Sequence, residues 1–263
     1  MTILDSLVLG GVQGVTEFIP VSSSGHLILA EKFLSLDSNF TFGVLLNIGT
    51  LFALLVFFNR RINNAFTEVF VKKNYWFGLI LVLSIVPTLI AGFLFSAFFE
   101  DLSENLWVIV VALLIVGLLM VRFGKSNATK IHEETKASVN DAVIIGLSQM
   151  LALVPGVSRS GITILTGVNK GFSVEAAANF SFLMAAPTIA GAIVHSLFFK
   201  DGLAFIGDNP AVFWAGNLVS LLLGLLAVKT MLGLLKRHGL AVFGWYRLGL
   251  GTLIGILLII NVL

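Results

Sequence analysis

The sequence contains no cysteine. Disulfides, thiolate-bound metals, iron–sulfur clusters and a cysteine nucleophile are therefore excluded together. Charge is scarce as well: Asp, Glu, Lys and Arg make up 11% of 263 residues, against about 25% in an ordinary soluble domain. With 57% hydrophobic residues and a mean hydropathy of +1.02, this deficit excludes a cytosolic enzyme, a disordered chain and a nucleic-acid binder. The sequence pI of 9.0 does not reopen the last of these, because the net charge is only +2. No GxxxxGK[ST] loop, no GxSxG elbow and no histidine pair at metal-ligand spacing occurs, so a P-loop, a nucleophile elbow and a zinc site are not expected. The start, MTILDSLVLGG, lacks a basic segment and carries Asp5, which argues against a cleaved signal peptide.

What the chain does have is apolar length. A helical span needs about 20 apolar residues, and six stretches qualify: 42–58, 75–99, 106–121, 176–199, 211–235 and 240–263. We expect an all-α polytopic membrane protein forming one integral membrane domain. Two further segments are broken. Residues 2–19 carry Asp5, Gln13 and Glu17 and run into Pro20, with a second apolar piece at 27–30; residues 142–154 run into Pro155-Gly156, with another at 162–168. Non-helical backbone at membrane depth survives only when buried in protein or facing a water-filled cavity. Two re-entrant helix–loop–helix hairpins are expected.

Basic residues in the short loops set the orientation. Arg60, Arg61, Lys72 and Lys73 follow the first span, Glu100, Asp101 and Glu104 the second, and Arg122, Lys125, Lys130 and Lys136 the third, beside Glu133 and Glu134. Lys200, Asp201 and Asp208 mark the fourth loop, and Lys236, Arg237 and Arg247 the fifth. The alternation places loops 59–74, 122–140 and 234–247 in the cytoplasm and both termini outside a plasma membrane.

Shifted by 136 residues, the two broken segments align on each other: Asp5 with Asp141, Gly10 with Gly146, Gln13 with Gln149, Val21 with Val157, Ser22 with Ser158, Ser24 with Ser160, Gly25 with Gly161, Ile28 with Ile164, and Leu29 with Leu165. Each repeat (about 1–122 and 139–263) holds one hairpin and three crossings, and an odd number of crossings inverts the second copy. The hairpin tips then meet near the midplane, where such architectures place their sites.

The first tip reads Gln13-Gly-Val-Thr-Glu17-Phe-Ile-Pro20-Val-Ser22-Ser23-Ser24-Gly-His26. Gln13 and Glu17 share a helix face, Pro20 is expected to end that helix, and the serines offer N-cap chemistry to the next one. Ionisable groups at membrane depth are functional candidates, which singles out Glu17 and His26. The second tip reads Pro155-Gly156-Val-Ser158-Arg159-Ser160-Gly-Ile-Thr163, with Arg159 alone in an uncharged run. Half-helix N-termini, an arginine and hydroxyls converging on one point make an anion site. The anion is expected to arrive on a lipid. Gln13, Ser22, Ser24, Gly156, Ser158, Ser160 and Thr163 are the expected substrate-binding positions. Elsewhere, Gly10, Gly11 and Gly14 read as close-packing positions, His195 as a packing residue, His132 and His238 as solvated, and Pro87-Thr88 and Pro187-Thr188 as kinks.

At these tips the chain resembles the undecaprenyl-diphosphate phosphatase, or bacitracin-resistance, family. The likeness rests on Gln13-x-x-x-Glu17, Pro20-Val-Ser-Ser-Ser-Gly-His26 and Pro155-Gly-x-Ser-Arg-Ser-x-x-Thr163, and the length and predicted crossings extend it over nearly the whole chain. It implies removal of the terminal phosphate from undecaprenyl diphosphate, with Glu17, Ser23, His26 and Arg159 as the functional core. It also implies a requirement for Mg²⁺ or Ca²⁺, although the family's first motif begins with Glu or Gln and Gln13 leaves this chain a single carboxylate there. Ser24 replaces a threonine found in some of them. Phosphoryl transfer needs positioning and charge neutralisation, which Arg159 and the half-helix amides would supply. Ser23 or an activated water would attack, with Glu17 or His26 moving the proton. Phosphoserine, phosphohistidine and direct hydrolysis all remain open, with Ser23 the expected nucleophile. A transporter carrying a polyprenyl phosphate is the competing reading. An intramembrane serine protease would have no use for Arg159. The expected partners are the lipid and the membrane, with no nucleic acid; a homo-oligomer stays open.

Overall fold

Capping decides where the helices begin. Thr2 and Ser138 each accept a hydrogen bond from the backbone N–H three residues on, and the Asp5 and Asp141 carboxylates accept one from the cap N–H in return. These reciprocal boxes satisfy otherwise orphaned N–H groups. They start α1 (Ile3–Thr16) and its counterpart α9 (Val139–Leu151). A computed structural model describes residues 1–36, 39–124 and 133–263, and the described residues are helical with no strand. In chain order, α1 is followed by α2 (Ser23–Phe33), α3 (Phe40–Leu45), α4 (Asn47–Phe57), α5 (Asn59–Phe66), α6 (Tyr75–Leu94), α7 (Ser96–Glu104) and α8 (Leu106–Phe123). After α9 come α10 (Arg159–Asn169), α11 (Val174–Phe199), α12 (Gly202–Asp208), α13 (Pro210–His238) and α14 (Ala241–Ile259).

Among the described residues, six helical stretches are long and apolar enough to cross a membrane: Phe40–Phe57, Tyr75–Leu94, Leu106–Phe123, Val174–Phe199, Pro210–His238 and Ala241–Ile259. Each corresponds to one of the expected spans. The second ends earlier than its hydropathy implies, because the chain breaks at Phe95 and restarts as α7. The first connection, read as a loop, is instead α5 followed by a π-helical turn at Thr67–Val71. Lys125, Lys130 and His132 lie outside the described residues.

Packing links the first half of the chain to the second. α1 lies along α13, α9 along α6, α4 against α13, α11 against α6, and α8 against α14. The close approaches need glycine: a Cβ at Gly10 would overlap the Gly216 carbonyl, and one at Gly146 would sit 2.8 Å from the Ser84 carbonyl. The packing role expected for Gly10 holds, and Gly14 does the same against Ser220. Membrane helices approach this closely only through small residues.

One sequence expectation is corrected here. Arg247 is not a loop residue. The connection between α13 and α14 is only Gly239-Leu240, and Arg247 lies inside α14 with none of its surface exposed. A basic residue near the start of an apolar run looks like a loop anchor until other segments are seen to supply partners for it.

Candidate active site

α1 stops at Thr16, four residues before the proline expected to end it, and residues 17–21 form the turn into α2. The second broken segment does the same between α9 and α10. At both restarts the capping residue is a serine with positive φ: Ser22 at 78° and Ser158 at 75°. Non-glycine residues avoid this region, at a cost of order 1–3 kcal/mol. The side chain gains a cap in return, since Ser22 Oγ accepts from Gly25 N at 3.3 Å and Ser158 Oγ from Gly161 N at 3.2 Å. Ser24 Oγ lies 3.2 Å from Ser22 Oγ, and Ser160 Oγ 3.4 Å from Ser158 Oγ. The tips touch where Gly156 N donates to Ser24 Oγ at 3.5 Å.

Glu17 is the hub. Its Oε2 accepts from Ser23 Oγ at 2.6 Å and from Gln13 Nε2 at 3.1 Å. Its Oε1 accepts from Arg159 Nη2 at 2.9 Å. The Glu17 and Arg159 side chains are about one-tenth exposed, so the pair is held out of bulk solvent. Charge-assisted bonds of this kind are short and strong. Gln13 also donates to Asn47 Oδ1 on α4 at 2.9 Å, which fixes its amide so that the carboxylate receives a donor. Arg159 Nη1 is buried and has no hydrogen-bond partner among the described residues. A guanidinium donor in that state needs an acceptor that the described residues do not provide.

The structure therefore brings Gln13, Glu17, Ser23 and Arg159 together. His26 is placed differently: its Nδ1 lies 2.7 Å from the Ser22 carbonyl and its Nε2 2.8 Å from the Tyr246 hydroxyl. Thr163 is buried, donates to the Arg159 carbonyl at 2.7 Å and meets Ser181 Oγ at 2.7 Å. Its hydroxyl braces α10 against α11. His195 packs against Phe93 and Phe199. Gln149, the counterpart of Gln13, donates to Thr88 at 3.1 Å and Thr188 at 3.4 Å, so the two Pro-Thr pairs supply hydroxyls to the second segment.

Sequence reasoning missed Arg247. Its Nη2 donates to the carbonyls of Gly156 at 2.6 Å and Ala112 at 3.3 Å, and its Nη1 to that of Pro20 at 3.5 Å. Pro20 and Gly156 are equivalent positions under the 136-residue shift, so one side chain ties both turns to α8. The available signal was its depth, a full turn and more beyond the start of the last apolar run.

An Arg–Glu–Ser cluster, its ion pair about one-tenth exposed, thus lies between two broken helices in a helical protein whose described residues include six helical stretches long and apolar enough to cross a membrane. The family described as bacitracin resistance protein BacA matches residues 6–253. The chain is 38% identical over 274 residues to the undecaprenyl-diphosphatase of Rubrobacter xylanophilus, covering 99% of this chain and all of the relative. It is 35% identical to undecaprenyl-diphosphatase 1 of Clostridioides difficile, over 97% and 95% of the two chains. The Porphyromonas gingivalis undecaprenyl-diphosphatase is 34% identical over 100% and 99%. This chain belongs to the bacitracin resistance protein BacA family.

Proposed function

We propose that the protein removes the terminal phosphate of undecaprenyl diphosphate, releasing inorganic phosphate and the monophosphate lipid. The observation that carries the reading is the Glu17 carboxylate held between the Ser23 hydroxyl and Arg159, whose Nη1 is left unpartnered. Arg159 receives the terminal phosphate through that free donor, and the N-terminal amides of α2 and α10 face the same charge. Ser23 Oγ passes its proton to Glu17 and bonds to the terminal phosphorus as the bridging P–O bond breaks, expelling the monophosphate lipid. Water then displaces Ser23 from phosphorus, Glu17 returns its proton to the serine, and the proton lost by the water leaves to solvent. Gln13 orients Glu17, while the Ser22, Ser24, Ser158 and Ser160 hydroxyls and the Gly156 turn shape the walls. Thr163 acts from behind, by bracing α10.

The residues present do not fit a resident Mg²⁺ or Ca²⁺. Glu17 is the one carboxylate at the tips, its oxygens already accept three donors, and no cluster of three acidic or histidine side chains occurs among the described residues. Hard cations take six or more oxygen ligands, so no step is routed through one.

The two tips belong to inverted repeats whose re-entrant hairpins meet near the midplane. The paired positive-φ serines, the paired capping boxes and the exchanged packing of α1 on α13 and α9 on α6 support this. The loop charges support an extracytoplasmic position for both termini and for the mouth of the site. A cavity of about 520 Å³ runs from Leu153 at the second tip past Thr88 and Thr188 to Lys200 in the fourth connection, on that same side.

Purified protein in detergent, given undecaprenyl diphosphate labelled in the terminal phosphate, is expected to release labelled phosphate at steady state. Stoichiometric binding without release would assign the site to a carrier instead.

A further inference from the structure

His26 is bound at both ring nitrogens, one of them to a residue outside either tip. A carbonyl only accepts, so the 2.7 Å contact with Ser22 O places a proton on Nδ1. The neutral ring then presents a bare lone pair at Nε2, and the Tyr246 hydroxyl 2.8 Å away donates to it. Once the ring is charged, Nε2–H donates to the same oxygen. The two rings lie nearly parallel, 9° apart with centroids separated by 5.8 Å, so the ring plane is held as well as the tautomer. Tyr246 is carried by α14 one residue before Arg247, the side chain that anchors α14 to the Pro20 and Gly156 turns. The phenol is therefore referenced to the same turns that hold Glu17, Ser23 and Arg159.

We propose that Tyr246 is a positioning residue of the phosphatase reaction: it holds His26 as the Nδ1-protonated tautomer, whose N–H clamps the Ser22 carbonyl beside Ser23. This rests on the functional reading above. Glu17 takes the Ser23 proton in the first step, and the His26 Nδ1–H holds the Ser22 carbonyl so that the next residue, Ser23, is presented to Glu17. In the second step the water O–P bond forms, the Ser23 Oγ–P bond breaks, Glu17 reprotonates Ser23, and the proton lost by the water leaves to solvent. A hydroxyl serves both states of the ring, because it donates to the neutral imidazole and accepts from the imidazolium. The arrangement also disfavours a phosphohistidine, since Nε2 already faces Tyr246 and Nδ1 faces a carbonyl.

Tyr246→Phe keeps the stacked ring and removes only the hydroxyl, so the fold is preserved. In protein labelled with ¹⁵N-histidine, the His26 signals are assigned by their loss in His26→Gln. The expected spectrum has a protonated Nδ1 and an unprotonated Nε2 whose resonance shifts in Tyr246→Phe. In turnover, loss of one neutral hydrogen bond is expected to lower kcat by about three- to tenfold, with KM unchanged. The substitution should cause no further loss in a His26→Ala background. An Nε2-protonated tautomer, an undiminished kcat, or the same loss in both backgrounds would overturn the proposal. If the unsubstituted protein released no phosphate, the functional reading would fall, while the spectra would still judge the His26–Tyr246 pair.

Discussion

Replacing Arg159 by lysine separates charge from geometry. Arg159 uses Nη2 on Glu17 Oε1 at 2.9 Å and keeps Nη1 buried without a protein partner. Lysine has a single nitrogen on a flexible stem, so it can hold Glu17 or reach the phosphate but cannot bridge them as a planar fork does. The positive charge survives, and Glu17, about one-tenth exposed, is not left facing an uncharged neighbour. Folding should therefore be close to normal, unlike an alanine substitution, which strands a buried carboxylate at about 3–5 kcal/mol. What is lost is one oriented donor to the transferring phosphoryl group. Removing a single such donor typically costs about 10²–10³ in kcat, or about 3–4 kcal/mol of transition-state stabilisation. The assay is phosphate release from undecaprenyl diphosphate in detergent, normalised to monodisperse protein by size exclusion. A fall of at least about a hundredfold is expected. Turnover within tenfold of the unsubstituted protein, at normal yield, would refute the assignment of Arg159 as the phosphate fork.

Arg247→Lys keeps a charge but cannot serve the carbonyls of Pro20, Ala112 and Gly156 together; we expect a loss of about 2–3 kcal/mol in equilibrium unfolding, and an unchanged midpoint would contradict its role as a tie between the turns. Gly156→Ala should be poorly folded, because Gly156 has φ +95° and a Cβ there would lie 2.9 Å from Ala112 Cβ and 3.0 Å from the Ile109 carbonyl; a normal yield of monodisperse, active protein would show that the turn can relax. Ser24 is exposed at the first tip, so Ser24→Cys in this cysteine-free chain should react with a membrane-impermeant thiol reagent added outside intact cells, and labelling only in inverted vesicles would reverse the orientation.

The spans were legible because apolar length alone specifies them, and the tips because Pro, Gly, Ser and isolated ionisable residues cannot sit in an ordinary span. The meeting of Glu17 with Ser23 was close to readable, since Ser23 is six residues on and across one turn. Its meeting with Arg159, 142 residues away, followed only from the repeat, which was visible as matched polar positions. Three things were not legible. Arg247 resembled a loop anchor because its partners are backbone carbonyls, which leave no mark on the sequence at those positions. Tyr246 carried no motif, and its value comes from lying beside His26 in space. Asn47 belongs to no motif, yet its Oδ1 accepts from Gln13 and sets that amide. The first connection is strongly polar, so no apolar run marks its helix α5, which buries none of its residues.

The central claim is that Ser23, activated by Glu17 and faced by Arg159, receives the phosphate. It is tested most directly by quenching the protein within one turnover of undecaprenyl diphosphate labelled in its terminal phosphate, then locating the label. The account predicts acid-stable label on Ser23, absent in Ser23→Ala, which still binds the lipid but releases no phosphate. Full turnover by Ser23→Ala, or an acid-labile adduct on His26 in its place, would contradict it.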